Sequence, residues 1–260
     1  MSLGAVAQHR LRTADGAEAG AWVHHAADAG APVLVVVPAL GVPAGAYRKL
    51  GEACARAGLH LLRADVRGNG SSSLRARRGV DWGYLDLVDA DIRAMLDLAH
   101  HALPGARRIL LGHSLGGQAA LVHQARHPDQ AVDAVALVAS AAPWWRAYGG
   151  TGPAVRAFAT VARLMSDRLG VFRGDWLRFG GPQGARLMRE WAHFTRTGRL
   201  PPLGEEGWDP MPALAALDRP IHALRMAGDL YAPEPAVRHL AGLTGGPFTY
   251  EALNRLDDGR

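Results

Sequence analysis

The tightest constraint on how this chain can fold is local. A short apolar run, Ile109 to Leu111, leads without a linker through Gly112-His113-Ser114-Leu115-Gly116 into a helical segment, Gly116 to His127. A strand that turns at once into a helix imposes strained dihedrals on the residue at the bend, and only small neighbours avoid a clash there. Gly112 and Gly116 are those neighbours, and the bend lifts the Ser114 hydroxyl clear of the strand end. The helix start behind it offers N–H groups with no intrahelical acceptor and a partial positive charge, both suited to a developing oxyanion. Glycine-spaced serines arise easily by chance in a chain with 32 glycines, so the strand before and the helix after carry the reading. Ser114 is the candidate nucleophile. His113, in the variable position of the bend, is read as structural.

The surrounding pattern is that of a mostly parallel sheet with helices on both faces, an α/β architecture. Val6 to Thr13 and Glu18 to His24 alternate in polarity around an Asp15-Gly16 turn, which predicts a hairpin. Val33 to Val37 is apolar without alternation, as a strand covered on both faces reads. A helix is expected over Tyr47 to Ala57, a strand over His60 to Ala64 and a long amphipathic helix over Leu85 to Leu103; a strand follows at Val135 to Ala139. From 143 to 219 no strand is expected, only two helical stretches near Val155 to Leu169 and Gly184 to Thr197 among tryptophans and glycine pairs. The sheet pattern resumes with Ile221 to Met226, a helix around Ala236 to Leu243 and a strand near Phe248 to Ala252. The expected organisation is therefore a core of 1–142 and 220–260 interrupted by a helical cap, 143–219.

Composition narrows the partners. The 29 basic residues exceed the 24 acidic ones by 5, but the arginines are scattered apart from Arg75, Arg77 and Arg78. A solvated arginine-rich surface is expected, and no nucleic-acid partner. No apolar run approaches the ~20 residues that span a bilayer. Met1 to Arg12 does not read as a secretory leader, so the cytoplasm is the expected compartment. The single cysteine, Cys54, falls on a predicted helix and reads as core; it allows neither an internal disulfide nor a multi-cysteine zinc site. The His24-His25 and His100-His101 pairs hold adjacent side chains that diverge, so no metal site is expected. Without a Gly-x-Gly-x-x-Gly or P-loop motif no nucleotide cofactor is expected either.

At this point the chain resembles the α/β-hydrolase superfamily along its whole length. Asp65-Val66-Arg67-Gly68-Asn69-Gly70-Ser71 is similar to that family's D-x-R-G-x-G-x-S loop. Pro38-Ala39-Leu40-Gly41 stands where many members carry His-Gly before the first oxyanion residue, with Pro-Ala here in its place. The core resembles the serine aminopeptidase and monoacylglycerol-lipase branch, and the cap segment resembles uncharacterised bacterial predicted hydrolases. The resemblance implies backbone N–H groups of Leu40 and Leu115 as the oxyanion hole. It implies Asp229, just past the Ile221–Ala227 strand, as the acid that would orient an imidazole. The plain alternative for Asp229 is a turn-capping aspartate.

The same resemblance implies a histidine after the last strand, and Leu253 to Arg260 contains none. Of the twelve histidines only His239 follows Asp229, inside a predicted helix packed beside the sheet, and His193 in the cap is a weaker stand-in. The expectation is that the base and a closing helix lie beyond Arg260; a chain that natively lacked them would be a pseudo-enzyme. The expected function is a serine hydrolase of carboxylic esters or small amides, with a small-molecule acyl substrate and no cofactor. The rivals are an acyltransferase with the same nucleophile and a non-catalytic binding protein. Cap tryptophans and phenylalanines could line an acyl pocket or form the cap's own core.

Overall fold

The structure is a computed structural model and describes residues 5–130 and 132–254. Among these, eight strands form one sheet in the order β1-β2-β4-β3-β5-β6-β9-β10. β1 (Val6–Arg12) and β2 (Glu18–His24) form the expected antiparallel hairpin, and Gly16 takes φ 84° in its turn. β2 also runs antiparallel to β4; from there on every pairing is parallel. β3 (Val33–Val37) lies between β4 (His60–Ala64) and β5 (Arg108–His113), and its valines are buried. Such a strand has helices on both sides, which is why its sequence does not alternate.

Val33, Val35, Leu110, Val135, Leu137, Ile221 and Ala223 belong to the main core, under α3 (Arg93–Ala102) and α4 (Leu115–Arg126). α4 is buried from Leu115 through Gln124, so it carries small residues around its circumference instead of one apolar stripe. The other face is covered near β4 by α1 (Arg48–Arg56), which brings Cys54 against Val36, Leu61 and Leu111. Further along that face Leu34, Ile109, Ala136, Val138 and Leu224 are only half-buried. The closing helix expected from the sequence lies outside the described residues.

Three expectations need correction. The Leu85–Leu103 helix runs as α2 (Tyr84–Asp86), a π-helical stretch (Leu87–Ile92) and α3, so its register slips where the sequence predicts an even 3.6-residue period. The 143–219 segment holds a two-stranded ribbon, β7 (Phe172–Arg173) with β8 (Pro182–Gln183), between its helices α5 (Gly152–Leu169) and α6 (Ala185–Thr197). Two-residue strands leave no periodicity to read. It also contains α7 (Pro210–Ala215), whose start was legible: Asp209 accepts from Met211 N–H at 3.0 Å and proline occupies the first turn. β6 (Ala134–Val138) precedes this segment and β9 (Ile221–Met226) follows it; α8 (Glu234–Ala241) and β10 (Phe248–Leu253) complete the fold.

Candidate active site

Ser114 stands between β5 and α4 at φ 53° and ψ −120°, a backbone conformation that costs a non-glycine residue free energy. Its surroundings explain why it holds. Ser114 N–H donates to Val138 O at 3.1 Å, and its carbonyl accepts from Gly117 N–H at 3.0 Å and from the Ser140 hydroxyl at 2.5 Å. The glycines do what the motif requires. A Cβ on Gly112 would run into the Gly117 backbone, and one on Gly116 into the Val37 and Pro38 carbonyls. The elbow therefore packs backbone to backbone against the loop after β3, and no side chain fits between.

That loop carries Leu40. Leu40, Leu115, Ser114 and Asp229 all line one cavity of about 610 Å³ between the sheet's C-terminal edge and the 143–219 segment. Leu115 N–H heads α4 and has no intrahelical acceptor by helix geometry. Asp229 follows β9 and is half-buried; its Oδ1 accepts from Tyr231 N–H at 2.8 Å and Ala232 N–H at 3.3 Å. The turn-capping and site-facing readings of Asp229 thus coexist in one side chain. His113 also lines the cavity, and its Nδ1 lies 2.9 Å from the Tyr47 hydroxyl. Burial holds the His113 imidazole below its ordinary pKa, with the Asp229 charge opposing.

Neither stand-in base is on this wall. His239 points its Nε2 at the Gly198 carbonyl, 2.8 Å away, and stacks on Trp144 at 4.4 Å. His193 sits on α6, and burial lowers its pKa. Neither lines the cavity, and His113 is the one imidazole that does among the described residues.

The D-x-R-G loop is spent on structure. Asp65 accepts from Ala44 N–H at 2.7 Å, Ser71 N–H at 2.8 Å and the Ser71 hydroxyl at 2.7 Å. Arg67 is buried against Asp91 and reaches Asp15 at 3.1 Å. Arg75 donates to the Gly70, Ser72 and Leu74 carbonyls, so it braces the loop, and it does not line the cavity. The aromatics of the 143–219 segment serve as both packing and wall: Phe158, Phe179 and Trp191 pack edge to face as a cluster and also line the cavity.

Sequence reasoning missed four cavity-wall or site-linked residues. Gln118 spans Tyr84, whose hydroxyl donates to it at 2.5 Å, and the Ala141 carbonyl, to which it donates at 2.8 Å. Tyr148 donates to the Tyr231 carbonyl at 3.0 Å and so ties the inserted segment to the Asp229 loop; burial, with the Asp229 charge, pushes its pKa up. Tyr47 and Arg178 complete the set. None had a local signal, because each meets the site only through the tertiary fold.

The family described as serine aminopeptidase, S33, has a model that matches residues 29–191. A pimeloyl-[acyl-carrier protein] methyl ester esterase from Chromobacterium violaceum is 30% identical over 185 residues, 66% of this chain and 66% of that one. A monoacylglycerol lipase from Mycolicibacterium smegmatis is 29% identical over 129 residues, 50% of this chain and 44% of that one. The matches thus span less than two thirds of either relative. The solved structure of Est1E from Butyrivibrio proteoclasticus with ferulic acid bound superposes with a TM-score of 0.66 at 13% identity, covering 95% of this chain and 89% of that one. At that identity the likeness shows the fold.

Proposed function

The chain belongs to the serine aminopeptidase S33 family of α/β-hydrolases, and from that premise we propose that it is a serine hydrolase that cleaves carboxylic esters through an acyl-enzyme on Ser114. The observation that carries the reading is the strained elbow at Ser114, heading α4 on the wall of the cavity that also holds Asp229. Ser114 Oγ attacks the substrate carbonyl as its proton passes to an imidazole that the described residues do not supply, and the oxyanion is met by the N–H groups of Leu40 and Leu115. Collapse of that intermediate returns the proton to the departing alcohol and leaves the acyl group on Oγ; water, giving its proton to the same imidazole, then releases the acid and restores the Ser114 hydroxyl. Asp229, through its Oδ2, is the carboxylate placed to orient an imidazolium. The 143–219 segment acts as the cap, its aromatic cluster giving an acyl chain an apolar wall. Esters are preferred over small amides because both curated relatives are named for ester substrates.

No base is assigned among the described residues, since His113 is engaged by Tyr47 and His239 by Gly198. That observation favours one second reading, a binding protein that keeps the cavity without turnover. A fluorophosphonate probe followed by peptide mass spectrometry separates the two. Modification of Ser114 that disappears in Ser114→Ala and weakens in Asp229→Asn supports the hydrolase; an unmodified Ser114 overturns it in favour of the binder.

A further inference from the structure

We propose that this cavity takes acyl esters that carry a carboxylate at the end remote from the scissile bond, and that the guanidinium of Arg178 holds that carboxylate. The proposal rests on the reading of Ser114 as the nucleophile.

Three non-glycine residues take a left-handed φ among the described residues: Ser114 at 53°, Ala139 at 46° and Arg178 at 53°. All three line the same cavity. Strain of this kind persists where the surroundings over-determine it, and it gathers at functional sites. At Ser114 the elbow accounts for it. At Ala139 the end of β6 does, because Ala139 N–H donates to Leu224 O at 2.9 Å and the next residue, Ser140, holds the Ser114 carbonyl. At Arg178 the end of a helical turn does: Phe179 N–H donates to Gly174 O at 2.8 Å and Arg178 N–H to Asp175 O at 3.4 Å, a closure that sets its next-to-last residue left-handed and is usually made with glycine. The residue is exposed on a turn whose Gly180 and Gly181 take φ 67° and 62° at no steric cost, and a glycine would suit position 178 as well. What an arginine brings there is its side chain.

Charge on the cavity wall agrees. The turn's other arginine, Arg173, is already matched: it pairs with Asp175 at 2.6 Å and lies 4.5 Å over the Trp176 ring. Arg178 has no carboxylate partner within salt-bridge distance among the described residues, and it shares the wall with Phe158, Phe179 and Trp191. Its fork of N–H donors matches both oxygens of a carboxylate, and because the residue is exposed the pair is screened by salt. Among the described residues the other charged one on the wall is Asp229. Arg178 attracts a ligand carboxylate and Asp229 repels it, so the two charges favour a substrate that sets its carboxylate at Arg178 and leaves its ester for Ser114.

The test compares monomethyl suberate with dimethyl suberate, two ligands that differ by one charged end. Binding is followed by tryptophan fluorescence, to which Trp191 on the cavity wall contributes, in Ser114→Ala protein so that neither ester is turned over. The monoester should bind roughly tenfold more tightly at low salt, and the gap should shrink as salt rises. Arg178→Met should close the gap. Arg178→Gly should close it too while keeping or raising Tm, because glycine relieves the positive φ; this separates loss of the charge from loss of the fold. Equal affinities for the two esters, or a gap that survives in Arg178→Gly, overturn the proposal. The two readings fail separately. A labelled Ser114 with no monoester preference removes only the Arg178 assignment, whereas a preference with an inert Ser114 removes the nucleophile.

Discussion

The Tyr47 hydroxyl lies 2.9 Å from Nδ1 of His113 and accepts the Ala39 N–H at 3.0 Å, so one phenol joins the loop before Leu40 to the residue before Ser114. With Ala39 donating to its oxygen, the phenol has its own hydrogen left for Nδ1, which fixes the neutral imidazole as the Nε2–H tautomer. Burial pushes the Tyr47 pKa up to about 12, so it remains a donor at any ordinary pH. The two loops that would bracket an oxyanion are thus spaced by a side chain from a third element.

Tyr47→Phe keeps the ring and deletes the link. Ala39 N–H and His113 Nδ1 would both be left without partners in a mostly buried place, at a cost of roughly 1–3 kcal/mol. Urea unfolding should show that loss. The His113 pKa, followed by NMR, should move upward, because a hydrogen bond that favoured its neutral form is gone. Unchanged stability together with an unmoved His113 would show that the phenol does not couple the loops.

Glu190 on α6 gives a pH dependence of defined sign. It is buried and accepts Tyr84 N–H at 2.8 Å, joining the inserted segment to the start of α2. Burial raises its pKa from 4.5 to about 7, against the pull of the Tyr84 hydrogen bond and the Arg186 charge. The folded protein therefore holds this proton more tightly than the unfolded chain. Its stabilising contribution is full below pH 4.5 and is lost as pH rises through 7. Glu190→Gln keeps an acceptor and removes the charge. Its stability advantage over the natural chain should grow from near zero at pH 4.5 to as much as about 3 kcal/mol at pH 8. A difference that stays flat across chemical denaturation curves from pH 4.5 to 8 would contradict this account.

The elbow predicts a sharp contrast between two glycines. The Cβ of Gly116→Ala would sit 2.6 Å from the Pro38 carbonyl oxygen and closer still to that of Val37, backbone atoms that cannot step aside. Destabilisation of roughly 1–3 kcal/mol, the usual cost of overpacking, should follow. In Gly45→Ala the new methyl meets no atom within 4 Å, and thermal melts should stay within about 0.5 kcal/mol of the natural chain. Equal losses at the two positions would mean that the close approach of α4 to the loop after β3 is not what fixes Gly116.

What the sequence determined by itself was whatever rests on neighbours in the chain. The strand–Gly112–Ser114–Gly116–helix bend, the unalternating valines of β3, the hairpin around Asp15-Gly16 and the position of Asp229 after β9 are all local patterns of period, turn chemistry and order. The π-helical Leu87–Ile92 stretch and the two-residue ribbon of β7 and β8 escaped because they are too short or too irregular to leave a period. Only the tertiary structure decided which distant groups share the cavity. Tyr47 reaches His113 across 66 residues and Tyr148 reaches Tyr231 across 83. Arg178 meets the Ser114 wall only because the inserted segment folds back over the sheet edge. Burial and charge at such places depend on packing between remote segments. A single chain read in order carries the residue types for that packing, but not their separations.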